Sequence, residues 1–561
     1  MKKSPSPKDT ENLRNAIRNA ETLEDWKKAD RLYGELADVQ ERDASTIARH
    51  ALAVRNCGDF PRATTMTRKA CRMEPENIEH HIQLGKLYLE MHRYPEAERY
   101  LRLAHAMDPD DFEALRRLAQ ALQHEPDSRD EAEELLRHAL DVHGDHVAIW
   151  QQLGAIIGNE PKRHAEAEHA FRKSLELVPG IPTTLHNLGL LCRLQGRLDE
   201  AEDYLLQAVE GAPENSGFAF SMGLCYYNME RMEKALEWCR KSAELDSKNV
   251  AARVYVAFCL FMLGRMHEGW EAYEKRLDLT EFKGLNYKRP RWDGSPLYGQ
   301  TILLLSEQGF GDNLQFVRYA ELVAERGGNV ILVAMDAQER LFDSVSGVSM
   351  VLPGLTAPKH FHRYSSLMSL PYIFGTTEET IPANVPYLHA RPEDVEKWRP
   401  RISSRPGLRV GIAWRGNPQH VNDRFRSTSL EEMSRLFDVE GVSFFSLMAE
   451  RWGEEQELPD CLEDIGADFT DFADGAAAYE LLDLVITIDS APCHLAGGLG
   501  RPVWTMLPRG PDFRWGLEGE SSPWYPTMKL YRQTSLGVWD DVYDRIERDL
   551  KAAAERKRSE G

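Results

Sequence analysis

Small residues recur through the first half of the chain at Ala29, Ala63, Ala97, Ala132, Ala167, Ala201, Ala235 and Gly269, separated by 34, 34, 35, 35, 34, 34 and 34 residues. A period of that length is one helix-turn-helix unit, which cannot bury its apolar face alone and has to stack on neighbours. The spacing inside a unit also repeats. Gly85, Ala97, Ala104 and Pro109 match Gly189, Ala201, Ala208 and Pro213 at steps of 12, 7 and 5. Glycine and alanine are expected where two helices cross closely, and proline where the second helix stops. The extra residue in the fourth and fifth units falls near Pro126 to Arg129 and Glu160 to Arg163, polar turns where an insertion is cheap.

These residues resemble the tetratricopeptide repeat. The resemblance implies an α-solenoid over residues 10–283 with a concave groove that holds a partner peptide. Two residues before the packing glycines stand Gln83, Gln152, Asn187 and Ser221. Their amides and hydroxyl are candidates for hydrogen bonds to the backbone of an extended acceptor protein; a solvated polar face is the alternative.

The formal charge of −21 is spread over the whole chain, with 39 basic against 49 acidic residues up to Lys283 and 30 against 41 beyond it. Neither half is basic, so nucleic acid is not an expected partner. No run of eighteen apolar residues occurs, and the start MKKSPSPKDTENLRN has no apolar core. The expectation is a cytoplasmic protein without membrane insertion. Its eight cysteines form no CxxC and no close Cys/His set, which argues against structural zinc and a disulfide framework. Six of them fall in the repeats, where a small buried apolar residue is the simple reading.

After the proline-rich segment KRPRWDGSPLYG the helical period disappears. From Thr301, short apolar runs alternate with helical patterns: TILLLS, NVILVAM and VSMVLP, then LRVGIAW, VSFFSLM, DLVITID and PVWTMLP. Two strand-helix series predict two Rossmann-like lobes, over 284–395 and 396–561, with a cleft between them.

Three loops carry candidate chemistry. In SEQGFGDNLQFVRYA, Gly309 and Gly311 permit a tight backbone, and Asp312 is either a helix cap or a base that takes a proton from an acceptor hydroxyl. In AWRGNPQHVNDRFRSTSL, Arg415, Arg424 and Arg426 offer guanidinium forks to phosphate oxygens, and Gly416 lets the backbone approach. In ITIDSAPCHLAGGLGRPVW, Asp489 and Ser490 stand at the carboxyl end of a buried strand, followed by a short helix whose positive end suits a phosphate. Cys493 reads as packing, and Asp108-Pro109-Asp110-Asp111 as an inter-repeat turn rather than a metal motif.

The blocks SEQGFGDNLQFVRYA, GIAWRGNPQHVNDRFRS, DLVITIDSAPCHLAGGLGRPVWTMLP and SPWYPTMKLYRQ look like bacterial fusions of tetratricopeptide repeats with a heptosyltransferase-like glycosyltransferase. Flagellin glycosyltransferases share that design. The resemblance implies a GT-B fold, a metal-independent and inverting enzyme, and donor bound mainly to the second lobe. Asp312 resembles the catalytic base and Arg426 the basic residue that holds the donor phosphates. Asp489, Ser490 and His494 match the acidic turn and the HLA helix that touch donor sugar and phosphate. Gly311, Arg415, Gly416 and Arg424 complete the expected donor set. Ala491-Pro492 departs from the glycine usual beside the phosphate and leaves the donor open: an NDP-sugar or a CMP-linked nonulosonic acid, as co-substrate and with no cofactor. The expected function is sugar transfer to serine or threonine of a protein held by the repeats, with flagellin the leading acceptor. The alternatives are a glycan or lipid sugar transferase, or a non-catalytic repeat scaffold.

Overall fold

The computed structural model describes residues 7–39, 43–278, 287–354, 358, 360–420, 423–450 and 457–560. The chain forms two compact units, Met1–Leu191 and Cys192–Gly561, which part inside the helix Pro182–Leu194. The junction expected at residues 283 and 284 lies outside the described residues.

The first unit consists of helical pairs, such as Ile78–Glu90 with Tyr94–Met107 and Val147–Ile157 with His164–Leu177. Side chains fix several of the starts: Asp43, Asp59, Asn77 and Asp111 each accept a backbone N–H of the first turn. Ala29, Ala63, Ala97, Ala132 and Ala167 have no exposed surface, so the periodic small residues mark helix crossings. A methyl carbon at Gly154 would lie 2.7 Å from the Phe171 ring. The two extra residues are taken up in single 3₁₀ turns, Pro126–Ser128 and Pro161–Arg163, which leave the following helices in phase. The Asp108–Asp111 segment is a turn, with Asp111 spent on capping.

In the second unit the repeat continues through Leu198–Gly211, Ser216–Asn228, Met232–Leu245, Val250–Met262 and Met266–Tyr273. Cys71, Cys192, Cys225, Cys239 and Cys259 are buried as expected, whereas Cys57 is exposed at the end of its helix. The last pairs share one core with the α/β region. Phe261, Trp270 and Tyr273 cluster with Ile302, Leu304 and Phe316. Phe261 stacks on Phe513 at 4.5 Å, and the Trp270 indole N–H donates to the Thr376 carbonyl at 3.0 Å. The structural border therefore precedes the change of sequence pattern.

Two parallel sheets follow. The first holds β1 (Thr301–Leu305), β2 (Asn329–Ala334), β3 (Val348–Pro353) and β4 (Arg363–Ser366) in the order β3-β2-β1-β4. The second holds β5 (Leu408–Ala413), β6 (Val442–Ser446), β7 (Leu462–Asp464), β8 (Leu484–Ile488), β9 (Val503–Leu507) and β10 (Met528–Arg532) in the order β10-β9-β8-β5-β6-β7. β1 and β8 are apolar on both faces because helices cover both sides of a parallel sheet. All strand pairs are parallel, so within each sheet the carboxyl ends lie along one edge. The division expected at residues 395 and 396 falls inside the helix Pro392–Ile402, whose Trp398 packs edge-on against Phe469 of the second series.

Candidate functional site

A cavity of about 1160 Å³ lies where the carboxyl ends of both sheets face it. Its lining includes residues 308–312 after β1, 415–417, 419, 420, 425 and 426 after β5, 447–450 after β6, 469–472 after β7, 489–492, 494 and 495 after β8, and 508–510, 512 and 514 after β9, with Asn228 from the repeats. That is where open α/β sheets bind ligands.

Asp312 is the third residue of the helix Phe310–Phe316. Its Oδ2 accepts the Gly309 N–H at 3.0 Å, so it braces the helix start from the third position while Gly309, not Asp312, is the N-cap, and its other oxygen is ion-paired with Arg514. It lines the cavity nonetheless. Arg514 is 8% exposed and also donates to Asp512 Oδ1 at 2.8 Å and to Gln315. Sequence reasoning passed over Asp512 and Arg514; their only signal was a DFRW run shortly after the PVWTMLP strand. Their loop is pinned by the repeats. The Tyr227 hydroxyl donates to the Pro511 carbonyl at 2.9 Å, and the Gly510 N–H donates to Glu230 at 3.3 Å.

In the arginine loop, Gly416 makes room for Arg426: a methyl carbon there would lie 2.7 Å from Arg426 Nη2. Arg426 donates to Asp423 Oδ1 at 3.2 Å and, through Nη1, to the Asp489 carbonyl at 2.8 Å, joining this loop to the acidic turn. Arg415, Gly416 and Arg426 line the cavity. Arg424 does not. It is exposed and lies over the Phe425 ring at 5.5 Å, away from the expected donor set.

The helix Ala491–Gly498 begins at Ser490, whose side chain makes no capping bond. The first turn is thus open to a ligand, although Pro492 has removed one N–H. His494 is buried, hydrogen-bonded through Nδ1 with the Tyr525 hydroxyl at 2.9 Å and stacked on Trp515. A methyl carbon at Gly311 would lie 2.8 Å from His494 Cδ2, so two of the recognised motifs interlock by close packing. Burial, and then the charges of Arg514, Arg318 and Arg426, push the imidazole well below its ordinary range and keep it neutral. Burial, reinforced by Asp512, pushes the Asp489 carboxyl up from 3.8 to about 6 against the pull of Arg426 and Arg514. Asp489, Cys493 and His494 hold ligand-type atoms within 4.8 Å of one another. The surrounding arginines set a field that suits an anion better than a cation. Phe310 and Phe472, with ring centroids 5.0 Å apart, give the cavity an aromatic face that the sequence reading did not identify.

The four groove candidates differ. Gln83 donates to Glu79 of its own helix at 3.1 Å, and the Ser221 hydroxyl donates to Gly217 of its own helix at 3.0 Å. Gln152 keeps a buried Oε1 with no partner among the described residues, and Asn187 is half-buried.

Comparison with known proteins places the repeats. Models described as tetratricopeptide repeat match residues 58–122 and 147–214, and one described as anaphase-promoting complex, cyclosome, subunit 3 matches residues 194–276. Protein FlbA of Caulobacter vibrioides is 25% identical over 582 residues, covering 97% of this chain and 91% of FlbA. Among solved structures, PilF of Pseudomonas aeruginosa is 21% identical over 37% of this chain and 96% of its own, with a TM-score of 0.32. A tetratricopeptide-repeat protein of Parabacteroides merdae is 13% identical over 45% of this chain and 99% of its own, with a TM-score of 0.41. The first half of the chain is built of tetratricopeptide repeats, an α/β region follows them, and similarity to FlbA runs along nearly the whole length.

Proposed function

We propose that the protein is a cytoplasmic, metal-independent, inverting glycosyltransferase of GT-B type, which moves a sugar from a nucleotide donor to serine or threonine of a protein, with flagellin the acceptor. The observation that carries the reading is the convergence of the GD loop, the arginine loop and the Asp489–Ser490 helix start on one cavity at the carboxyl ends of both sheets. Its volume suits a nucleotide sugar together with an acceptor side chain. In this reading the acceptor oxygen bonds to the anomeric carbon as the bond from that carbon to the donor phosphate oxygen breaks. The hydroxyl proton passes to Asp312, held in place by Gly309 and Arg514. Arg415, Arg426 and the open helix start stabilise the charge growing on the leaving phosphate.

The test is intact-mass measurement of flagellin from a strain lacking this protein, incubated with the purified chain and a panel of nucleotide sugars. One donor should add the mass of its sugar. Asp312→Ala should abolish the addition while nucleotide binding persists, and Arg426→Ala should weaken nucleotide binding. No mass change with any donor, and flagellin of equal mass in cells with and without the protein, would overturn the reading. A non-catalytic scaffold is the second reading, favoured by Asp312 having both oxygens engaged by Gly309 and Arg514. It expects Asp312→Ala strains to glycosylate normally.

A further inference from the structure

Asn228 is the point at which the helical repeats reach the cavity. It closes the helix Ser216–Asn228 and is 8% exposed. Its orientation follows from its neighbour. Arg193 donates through Nη1 to Asn228 Oδ1 at 2.8 Å. A guanidinium has donors only, so the carbonyl end of the amide must face Arg193 and the NH2 end must turn away. That NH2 lies beside Gly510 on the cavity wall, where a methyl carbon would be 3.3 Å from Nδ2. It has no hydrogen-bond partner among the described residues, yet it is not sealed off. The adjacent positive charge polarises the amide and strengthens the donor.

We propose that Asn228 donates a hydrogen bond to a backbone carbonyl of the protein acceptor at the entrance to the cavity, with Arg193 as its positioning residue; this rests on the transferase reading. A neutral amide suits a neutral carbonyl, whereas phosphate oxygens are better met by the charged forks of Arg415 and Arg426 on other loops. A serine or threonine hydroxyl is two bonds from its own Cα, so an acceptor presenting one to the cavity brings backbone carbonyls to its rim. Asn228 lines the cavity from a repeat helix, beside the loop that carries Asp512 and Arg514.

The experiment uses the full chain and two ligands titrated separately: flagellin from a strain lacking this protein, and the nucleotides UDP, GDP, CDP and CMP. Asn228→Ala and Asn228→Asp should each weaken flagellin binding about three- to tenfold, the effect of one hydrogen bond, and leave the Kd of the best-bound nucleotide unchanged. The Asp variant keeps a partner for Arg193, so a loss there is not misfolding. Arg193→Met should weaken flagellin binding in the same direction, and Arg193→Lys, which still donates to Oδ1, should restore it. Unchanged flagellin affinity in both Asn228 variants, or a fall in nucleotide affinity instead, overturns the proposal. A wild-type chain that does not bind flagellin overturns it together with the choice of acceptor. Flagellin binding that depends on Asn228 without transfer from any donor sinks only the transferase reading.

Discussion

Arg276 offers the most direct test of how the repeats and the α/β region are joined. It follows the last repeat helix, is 1% exposed, and its guanidinium donates to both oxygens of Glu307, at 2.6 and 3.1 Å. It also reaches Glu274 at 2.9 Å, Ser369 at 3.0 Å and the Tyr273 carbonyl at 3.1 Å. Glu307 sits in the loop after β1, and Asn313 of the Asp312 helix accepts its N–H. Replacing Arg276 by Met removes these donors and leaves Glu307, which is 3% exposed, as a buried charge that water cannot reach. The expected cost is about 3–5 kcal/mol. Replacing both Arg276 by Met and Glu307 by Gln should recover much of it, because no lone buried charge remains. Guanidinium unfolding followed by tryptophan fluorescence reads the effect well, since ten of the twelve tryptophans lie beyond Leu191. Additive single effects, or an Arg276→Met cost below about 1 kcal/mol, would refute the reasoning, since residues in one hydrogen-bonded network must couple.

Three further outcomes are expected. The native Asp489 carboxyl, raised to about 6, is neutral below that pH and charged above it, so nucleotide affinity should improve as pH falls through 6. Asp489→Asn should remove that part of the dependence, leaving only the titration of the nucleotide phosphate; parallel profiles for the two proteins would count against it. Gly311→Ala forces a methyl carbon to within 2.8 Å of the His494 ring and should cost about 1–3 kcal/mol by thermal melting. Removing residues 1–181 should leave a soluble chain with a cooperative melt. Removing 1–283 should not, because it strips Phe261, Trp270 and Tyr273 from the shared core, and losing one buried Trp or Phe typically costs about 3–5 kcal/mol. Cooperative unfolding of residues 284–561 alone would disprove that.

The repeats were legible because their signal is a period: each small residue sits at a crossing that tolerates nothing larger, and seven intervals report the same constraint. The seven longest apolar runs of the α/β region became strands; β1, β2 and β8 are buried along nearly their whole length, whereas β3 keeps its apolar residues at an exposed sheet edge. β4, β7 and β10 were missed. β4 and β7 have three or four residues, and β10 mixes Lys529 and Arg532 with apolar positions at the sheet edge. Within the cavity the sequence pointed to residues with recognisable neighbours in the chain, such as Asp312 and Arg426. It did not reveal Arg514, whose partner Gln315 is 199 positions away, or Asn228, which meets Arg193 of the preceding repeat and packs beside Gly510 far along the chain. Arg424 shows the converse: two arginines two residues apart in one loop point to different places, because only Arg426 finds the space that Gly416 leaves.

The loop from Pro508 to Arg514 is held at one end by Tyr227 and Glu230 of a repeat and at the other by Asp312. Its residues therefore inherit two sets of constraints. A substitution in the Ser216–Asn228 helix that shifts this anchor has to be answered in the loop, or Arg514 loses its place. Across related chains these two segments should change in concert while the rest of the array drifts freely, so a new partner preference is most easily acquired in the repeats that precede Cys192.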